Sequence, residues 1–394
     1  MSRQTEAARR HFTPNYRQPD LVMERGEGVW VFDQDGRRYL DAIAGIAVSA
    51  LGHCDEGLRR AVHDQVDSLW HMSNLFYTRP AMALAALLTE HTFAERVFFC
   101  NSGAEANEAL MKAARRAQHD AGTGRFEIIA TERSFHGRTF ATVTATGQPK
   151  YHEGFGPMLP GIDHVPYGDL EAMAARVGPQ TAAILVEPIQ GEGGVIAPPS
   201  GYLAGLRTLA DQHGVFLLFD EVQTGIGRTG TFLAAEFDDV APDGCSLAKG
   251  LGGGLPIGAF LAGPALANCF VPGTHASTFG GNPVCARAAV EVVERLTSGG
   301  LLEQIQITAA HLEAGLQRLV ETVPAALGLR GRGFLRGLEL VSADPELPVR
   351  AREHGLLVGM VDGNQVVRIA PPLTIVEAEI DHLIERLALS LESA

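Results

Sequence analysis

Lys249 and Asp220 are the residues whose types and setting point most directly to chemistry. Lysine is scarce in this chain: Lys112, Lys150 and Lys249 are its only three, and arginine supplies the rest of the 32 positive side chains. Lys249 stands in Cys245-Ser246-Leu247-Ala248-Lys249-Gly250, ahead of Leu251-Gly252-Gly253-Gly254. Arginine stays protonated in proteins, whereas a desolvated lysine can lose its proton and act as a nucleophile. Asp220 closes the apolar run Val215-Phe216-Leu217-Leu218-Phe219. A carboxylate at a strand end often caps a helix or holds a metal, so Asp220 alone carries no assignment. Together, an imine-forming lysine and an acid for a pyridinium nitrogen are what pyridoxal 5'-phosphate chemistry asks of a protein.

Other segments supply the remaining parts of such a site. Asn101-Ser102-Gly103-Ala104 follows an apolar run and opens a helix, with Ser102 and Glu105 at capping-box spacing. Free N–H groups at such a start bind phosphate, although the same residues also read as an ordinary capped helix. Gln223 follows Asp220 closely enough to donate to the phenolic oxygen of the same ring. In Ser134-Phe135-His136-Gly137-Arg138, Phe135 has the shape to lie flat on a ring and Arg138 offers a fork for a carboxylate. The plain alternative is a packed aromatic and a solvated arginine.

Glu187 and Glu192 flank Pro188-Ile189-Gln190-Gly191 beyond another apolar run. They suit acid–base work or the holding of an arginine, and surface acids are the commoner explanation of such a pair. Arg368 lies among Val366, Val367, Ile369 and Ala370, a setting that predicts an acid or a ligand as partner. Ser277 and Thr278 place hydroxyls beside the glycine turn Gly280-Gly281.

The elements that must position these residues alternate short apolar runs with helical patterns, the signature of a mostly parallel sheet in an α/β protein. Strands are expected at 96–100, 126–131, 182–187, 215–220 and 257–262, with helices at 105–121 and 201–213. Asn282-Pro283 reads as a capped helix start, and Thr374 with Glu377 as a capping box opening a final helix to about Leu391. Ligands of open parallel sheets bind beyond the carboxyl ends of the strands, where these motifs collect. The segments 28–40 and 331–340 read as strands outside that sheet. The expected organisation is an N-terminal segment 1–50 belonging to a smaller α+β domain, a large cofactor domain 51–285, and a C-terminal part 286–394 completing the smaller one.

A chain of 394 residues is long enough for a large core. Its formal net charge of −14 argues against a nucleic-acid partner and against an anionic membrane surface. The sequence has no run of about 18 apolar residues. Its start lacks the apolar segment of a signal peptide. The five cysteines are scattered without a CxxC pair, so reduced thiols, no metal site and a cytoplasmic location are expected.

Taken together, the motifs resemble the class III pyridoxal-phosphate aminotransferases, and within them the acetylornithine branch. The resemblance runs from Gly26-Glu27-Gly28 through Ala50-Leu51-Gly52-His53 to Arg368-Ile369-Ala370-Pro371. Its most specific pieces are Phe219–Gly225, Ala248-Lys249, Glu187–Glu192 and Phe135–Arg138. It implies a fold type I enzyme, active as a homodimer with sites shared between subunits. It further implies that Lys249 links to the cofactor and shuttles the proton, Asp220 pairs with the ring nitrogen and Gln223 meets the phenolic oxygen. Val222 and Phe135 would sandwich the ring with His136 alongside, while Ser102, Gly103 and Ala104 hold the phosphate and Thr278 reaches the neighbouring subunit's. Arg138 would receive the substrate carboxylate near Ser277. Glu192 would pair with Arg368 until glutamate or 2-oxoglutarate arrives.

The implied reaction moves the δ-amino group of N2-acetyl-L-ornithine to 2-oxoglutarate. Close alternatives are a succinylornithine, N-succinyl-diaminopimelate or 4-aminobutyrate aminotransferase; further off stand a glutamate semialdehyde aminomutase and a non-enzymatic homologue. Two departures bear on substrate. Ile46 replaces a tyrosine of ornithine aminotransferases, and His136 their tryptophan. Ala104 replaces a usual threonine but keeps its N–H.

Overall fold

The computed structural model describes residues 3–392. The chain begins the sheets with β1 (Met23–Glu27), β2 (Trp30–Asp33) and β3 (Arg38–Asp41). The expected strand at 28–40 is broken because the Asp33 carboxylate accepts the Asp35 and Arg37 N–H groups and Gly36 takes φ +79°, which closes a turn. Seven strands follow: β4 (Arg96–Cys100), β5 (Glu127–Thr131), β6 (Ile162–Val165), β7 (Thr181–Val186), β8 (Phe216–Asp220), β9 (Gly244–Leu247) and β10 (Gly258–Ala262). They form one sheet in the order β4-β10-β9-β8-β7-β5-β6. All its pairings are parallel except those of β10, which runs antiparallel to β4 and β9. The five strands read from sequence lie within one residue of their observed limits.

Helices cover both faces of this sheet, so its central strands β7, β8 and β10 are buried along nearly their whole length rather than on alternate residues. Leu217, Leu218 and Phe219 of β8 have no accessible surface. Burial of each such side chain stabilises the fold by roughly 1.5–3 kcal/mol. The helix Gly103–Asp120 lies on one face, and Gly244 lets it close on β9, since a Cβ there would meet Leu110 at 2.7 Å.

The last strands are β11 (Ala326–Arg332), β12 (Leu335–Leu340), β13 (Leu356–Leu357), β14 (Gly359–Val361) and β15 (Val366–Ile369). β13 pairs parallel with β3, which ties the N-terminal hairpin to the C-terminal half of the chain. β11, β12, β15 and β14 make a third, antiparallel sheet. Asn282 caps Pro283–Thr297 as its sequence predicts. The final helix, Glu377–Glu392, opens differently from expectation. Thr374 donates instead to the Leu51 carbonyl, and Glu379 reaches back to the Val376 N–H. No helix among the described residues is long and apolar enough to cross a membrane.

Candidate active site

The carboxyl ends of β7 and β8, the start of the helix Gly103–Asp120 and the turn after β9 surround a cavity of about 410 Å³. Its walls include Ser102, Gly103, Ala104, Phe135, His136, Arg138, Asp220, Val222, Gln223 and Lys249. Lys249 opens a tight turn after β9 and sits at φ +42°, a conformation that costs a non-glycine residue on the order of 1–2 kcal/mol. Burial pulls its amine below the ordinary lysine range; Arg368 pulls the same way, while Glu192 and Asp220 oppose. An unprotonated amine is what condensation with an aldehyde requires.

Asp220 is buried at the end of β8. Its Oδ2 accepts from Asn107 Nδ2 and faces His136 Nδ1, both at 2.7 Å, and its Oδ1 accepts from the Val222 N–H at 3.0 Å. Ser246 Oγ is 3.4 Å from Oδ1 but 2.6 Å from Asn107 Oδ1. One hydroxyl has one proton, and the shorter contact takes it. A lone-pair position on Asp220 Oδ1 therefore remains for an N–H presented from the cavity. Asn107 and Ser246 went unnoticed in the sequence, and His136 reaches the carboxylate directly.

Ser102 caps its helix as expected, accepting from Glu105 N at 3.2 Å. Glu105 reaches past it to the Asn101 N–H. Gly103 and Ala104 stand in the first turn, where backbone N–H groups have no intrahelical acceptor. A Cβ on Gly103 would meet Val222 at 2.8 Å, so glycine allows the helix start to close on the residue lining the cavity floor.

The Phe135 loop is pinned by Glu187, whose carboxylate accepts the N–H groups of Phe135 at 3.0 Å and Gly191 at 3.2 Å. Burial pushes the Glu187 carboxyl up to about 7. Arg138 makes no ion pair with an acid of the described residues; its guanidinium lies 4.0 Å from the Tyr151 ring centroid and 5.2 Å from that of Phe135. Arg368 is buried and pairs with Glu192, and Gln223 joins them, accepting from Arg368 at 3.2 Å. Burial works against the charge on Glu192, but Arg368 and Lys249 outweigh it and hold its carboxyl below the usual range.

Five residues singled out from sequence lie off the cavity wall: Glu192 and Arg368, which adjoin it through hydrogen bonds to Gln223, and Ser277, Thr278 and Ile46. Ser277 Oγ accepts from Asn101 and from the Gly280 N–H beside an adjoining cleft. Thr278 is exposed. Ile46 stands in the turn Ala44–Ala47, where four successive residues have positive φ, and lines a neighbouring cavity with His53 and Leu357. Val48, Leu255 and Pro256 line the main cavity without having been foreseen individually.

Comparison with known proteins accords with this arrangement. The family described as aminotransferase class-III matches residues 11–391. Acetylornithine aminotransferase of Myxococcus xanthus is 52% identical over 95% of this chain and 94% of its own. The crystal structure of N-acetylornithine aminotransferase from Stenotrophomonas maltophilia K279a superposes with a TM-score of 0.84 at 37% identity, covering 98% of each chain. An ornithine aminotransferase structure from Toxoplasma gondii, with pyridoxal phosphate partly occupying its active site, gives 0.94 at 32% identity over 99% of this chain and 94% of that one. This chain belongs to the class-III aminotransferases and is a pyridoxal-phosphate-dependent enzyme.

Proposed function

We propose that the enzyme transfers the δ-amino group of N2-acetyl-L-ornithine to 2-oxoglutarate, giving N-acetyl-L-glutamate 5-semialdehyde and L-glutamate in arginine biosynthesis. The observation that carries this reading is the buried Arg368 paired with Glu192 and bonded to Gln223 of the cavity wall, a wall that itself holds the acid-free Arg138. One arginine is available and the other masked. A donor with a single carboxylate, remote from its reacting carbon, needs that state. A dicarboxylate needs both arginines, and Glu192 can turn away to release the second.

When bound, the cofactor supplies an electron sink for the carbanion at the reacting carbon. The chain's own groups do the rest. Lys249 provides the amine that links to the cofactor and afterwards carries the proton as general base. Asp220, held by Asn107 and His136, offers its free lone pair to the ring nitrogen and keeps it protonated. Val222 and Phe135 would hold the ring between them, with His136 alongside. The amide of Gln223 serves the phenolic oxygen, and Ser102, Gly103 and Ala104 hold the phosphate. Arg138 takes the substrate carboxylate.

The reading includes a homodimer in which Thr278 of each chain reaches the phosphate of the partner's cofactor. Its support is the exposed apolar group beside that loop: Trp70, Leu75, Phe76, Tyr77 and Phe279, of which Tyr77 is 93% exposed. Such a patch marks an interaction surface. It further includes the domain division at 50 and 285, and a cytoplasmic location consistent with five unpaired cysteines.

The test is a half-reaction panel that follows the cofactor spectrum with acetylornithine, succinylornithine, ornithine, 4-aminobutyrate and glutamate. Acetylornithine and glutamate should both convert the cofactor fastest. Preference for ornithine would overturn the reading that Ile46, standing where ornithine aminotransferases carry a tyrosine, disfavours an unacylated donor. Preference for the succinylated donor or 4-aminobutyrate moves the substrate within the class, and turnover of one substrate without an external acceptor points to an aminomutase.

A further inference from the structure

The segment carrying Glu192 is gripped at its backbone on both sides of that residue. Glu187 accepts the Gly191 N–H at 3.2 Å, Arg133 donates to the Gly193 carbonyl at 2.7 Å, and Arg330 donates to the Gly194 carbonyl at 3.4 Å. The two arginines share one acid. Asp362 Oδ1 is 2.6 Å from Arg133, and its Oδ2 is 3.2 Å from Arg330. Glu339 holds the other edge of the Arg330 guanidinium through two nitrogens. Gly194 sits at φ +125°, and a Cβ there would come within 3.0 Å of the Asp362 carboxylate. Only glycine lets the segment approach so closely.

Asp362 belongs to the same hairpin as Arg368. β14 and β15 pair with Gly359 opposite Arg368 and Val361 opposite Val366, which puts Asp362 in their connecting turn. The unit that presents Arg368 to Glu192 thus also holds the segment bearing Glu192. Asp362 and Arg330 are each a little over one quarter exposed, at 28% and 27%. Ion pairs so open to solvent add little stability. Their geometric effect is larger, because a fixed backbone reduces the conformational freedom lost when Glu192 meets Arg368.

We propose that Asp362, acting through Arg133 and Arg330, is a positioning residue that fixes the Glu192 segment against the Arg368 hairpin and so sets the enzyme's balance between its two substrates. This rests on the exchange of Arg368 between Glu192 and a dicarboxylate. Loosening the clamp makes the Glu192–Arg368 pair costlier to form and leaves Arg368 unmasked more often. A donor with no carboxylate for that arginine then faces an uncompensated buried charge, whereas glutamate does not.

The experiment measures both half-reactions of the cofactor-loaded enzyme, with N2-acetylornithine and with glutamate, in Asp362→Asn, Arg330→Lys and Glu192→Gln, and in the double variant Asp362→Asn/Glu192→Gln. Asp362→Asn should lower kcat/KM for acetylornithine about 10-fold, mainly through KM, and change glutamate by less than about 3-fold. Arg330→Lys removes the fork but keeps the charge, and should shift the ratio the same way; it decides the matter where Asp362→Asn folds poorly. Glu192→Gln alone should shift the ratio toward glutamate, and adding Asp362→Asn to it should change the ratio no further. An equal fall in both half-reactions, or the same Asp362 effect in the Glu192→Gln background, overturns the proposal. If Glu192→Gln itself leaves the ratio unchanged, the exchange of Arg368 fails as well.

Discussion

His136 Nδ1 lies 2.7 Å from Asp220 Oδ2 with both side chains buried, so the imidazole holds the carboxylate that faces the cavity. An ionised carboxylate only accepts, so the proton belongs on Nδ1. His136 Nε2 has no partner among the described residues. Asn107 completes the support, bonding Asp220 Oδ2 and the His136 carbonyl with one amide.

Asn107→Leu should therefore damage the site without touching the cofactor's covalent partner. It frees the Ser246 proton to bond Asp220 Oδ1, occupying the lone pair left for the ring nitrogen. Loss of the buried bonds should cost on the order of 1–3 kcal/mol of stability. We expect kcat to fall about 10-fold with both KM values little changed, and the cofactor to dissociate faster. Visible absorbance during dialysis, together with steady-state kinetics, checks this. A substantial rise in both KM values at unchanged kcat would contradict it.

Lys249→Ala should lower turnover at least about 10³-fold and remove the absorbance of the lysine-linked cofactor. Lys249→Arg should do the same, because a guanidinium keeps its proton. Since burial lowers the Lys249 amine, the wild-type apoenzyme should take up the aldehyde cofactor at a lower pH than free lysine does. Stopped-flow absorbance across pH 6–10 reads this out, and wild-type turnover in either variant would remove Lys249 from its role.

Tyr151 should matter for carboxylate binding although it is absent from the cavity wall. Its ring lies 4.0 Å from the Arg138 guanidinium, a contact worth about 0.5–1 kcal/mol at an exposed site. Tyr151→Leu should raise KM for both substrates by roughly 2- to 5-fold and leave kcat alone. A change confined to one substrate would mean that Arg138 does not serve both.

Glu221 predicts a pH dependence of stability. Burial pushes its carboxyl up to about 7, against the pull of donors from Thr224, Ala234 and Ala235. A folded-state value above the ordinary 4.5 means that the folded protein holds the proton more tightly than the unfolded chain. The resulting stability is complete below pH 4.5 and is lost as pH rises through about 7, by on the order of 3 kcal/mol. Glu187 contributes in the same direction. Denaturant midpoints of the apoenzyme at pH 5 and pH 8 should differ less in Glu221→Gln than in wild type. An unchanged difference would refute the assignment.

The reacting groups were legible from the sequence because the signals that mark them are local. Lys249 was conspicuous in a chain that otherwise uses arginine, and Asp220 closed an apolar run long enough to be a buried strand. Ser102 announced its helix by capping chemistry that operates within one turn. Five of the seven strands of the large sheet were readable to within a residue, since burial makes their composition largely continuous and apolar, whereas the four-residue β6 and β9 left no such run.

Tertiary structure alone decided which groups support them. Asn107 meets Asp220 across 113 positions and Asp362 meets Arg133 across more than 200, distances at which no periodicity in the chain reports a contact. Those meetings depend on how the helix Gly103–Asp120 settles on the sheet and how the hairpin β14–β15 turns toward the Glu192 segment. Packing also moved Thr374 away from its expected cap and onto the Leu51 carbonyl. Residue type tells which chemistry a side chain can do. Which neighbour it does it with is set by close packing of elements remote in sequence, where a shift of one helical residue would exchange Asn107 for a side chain that cannot hold a carboxylate.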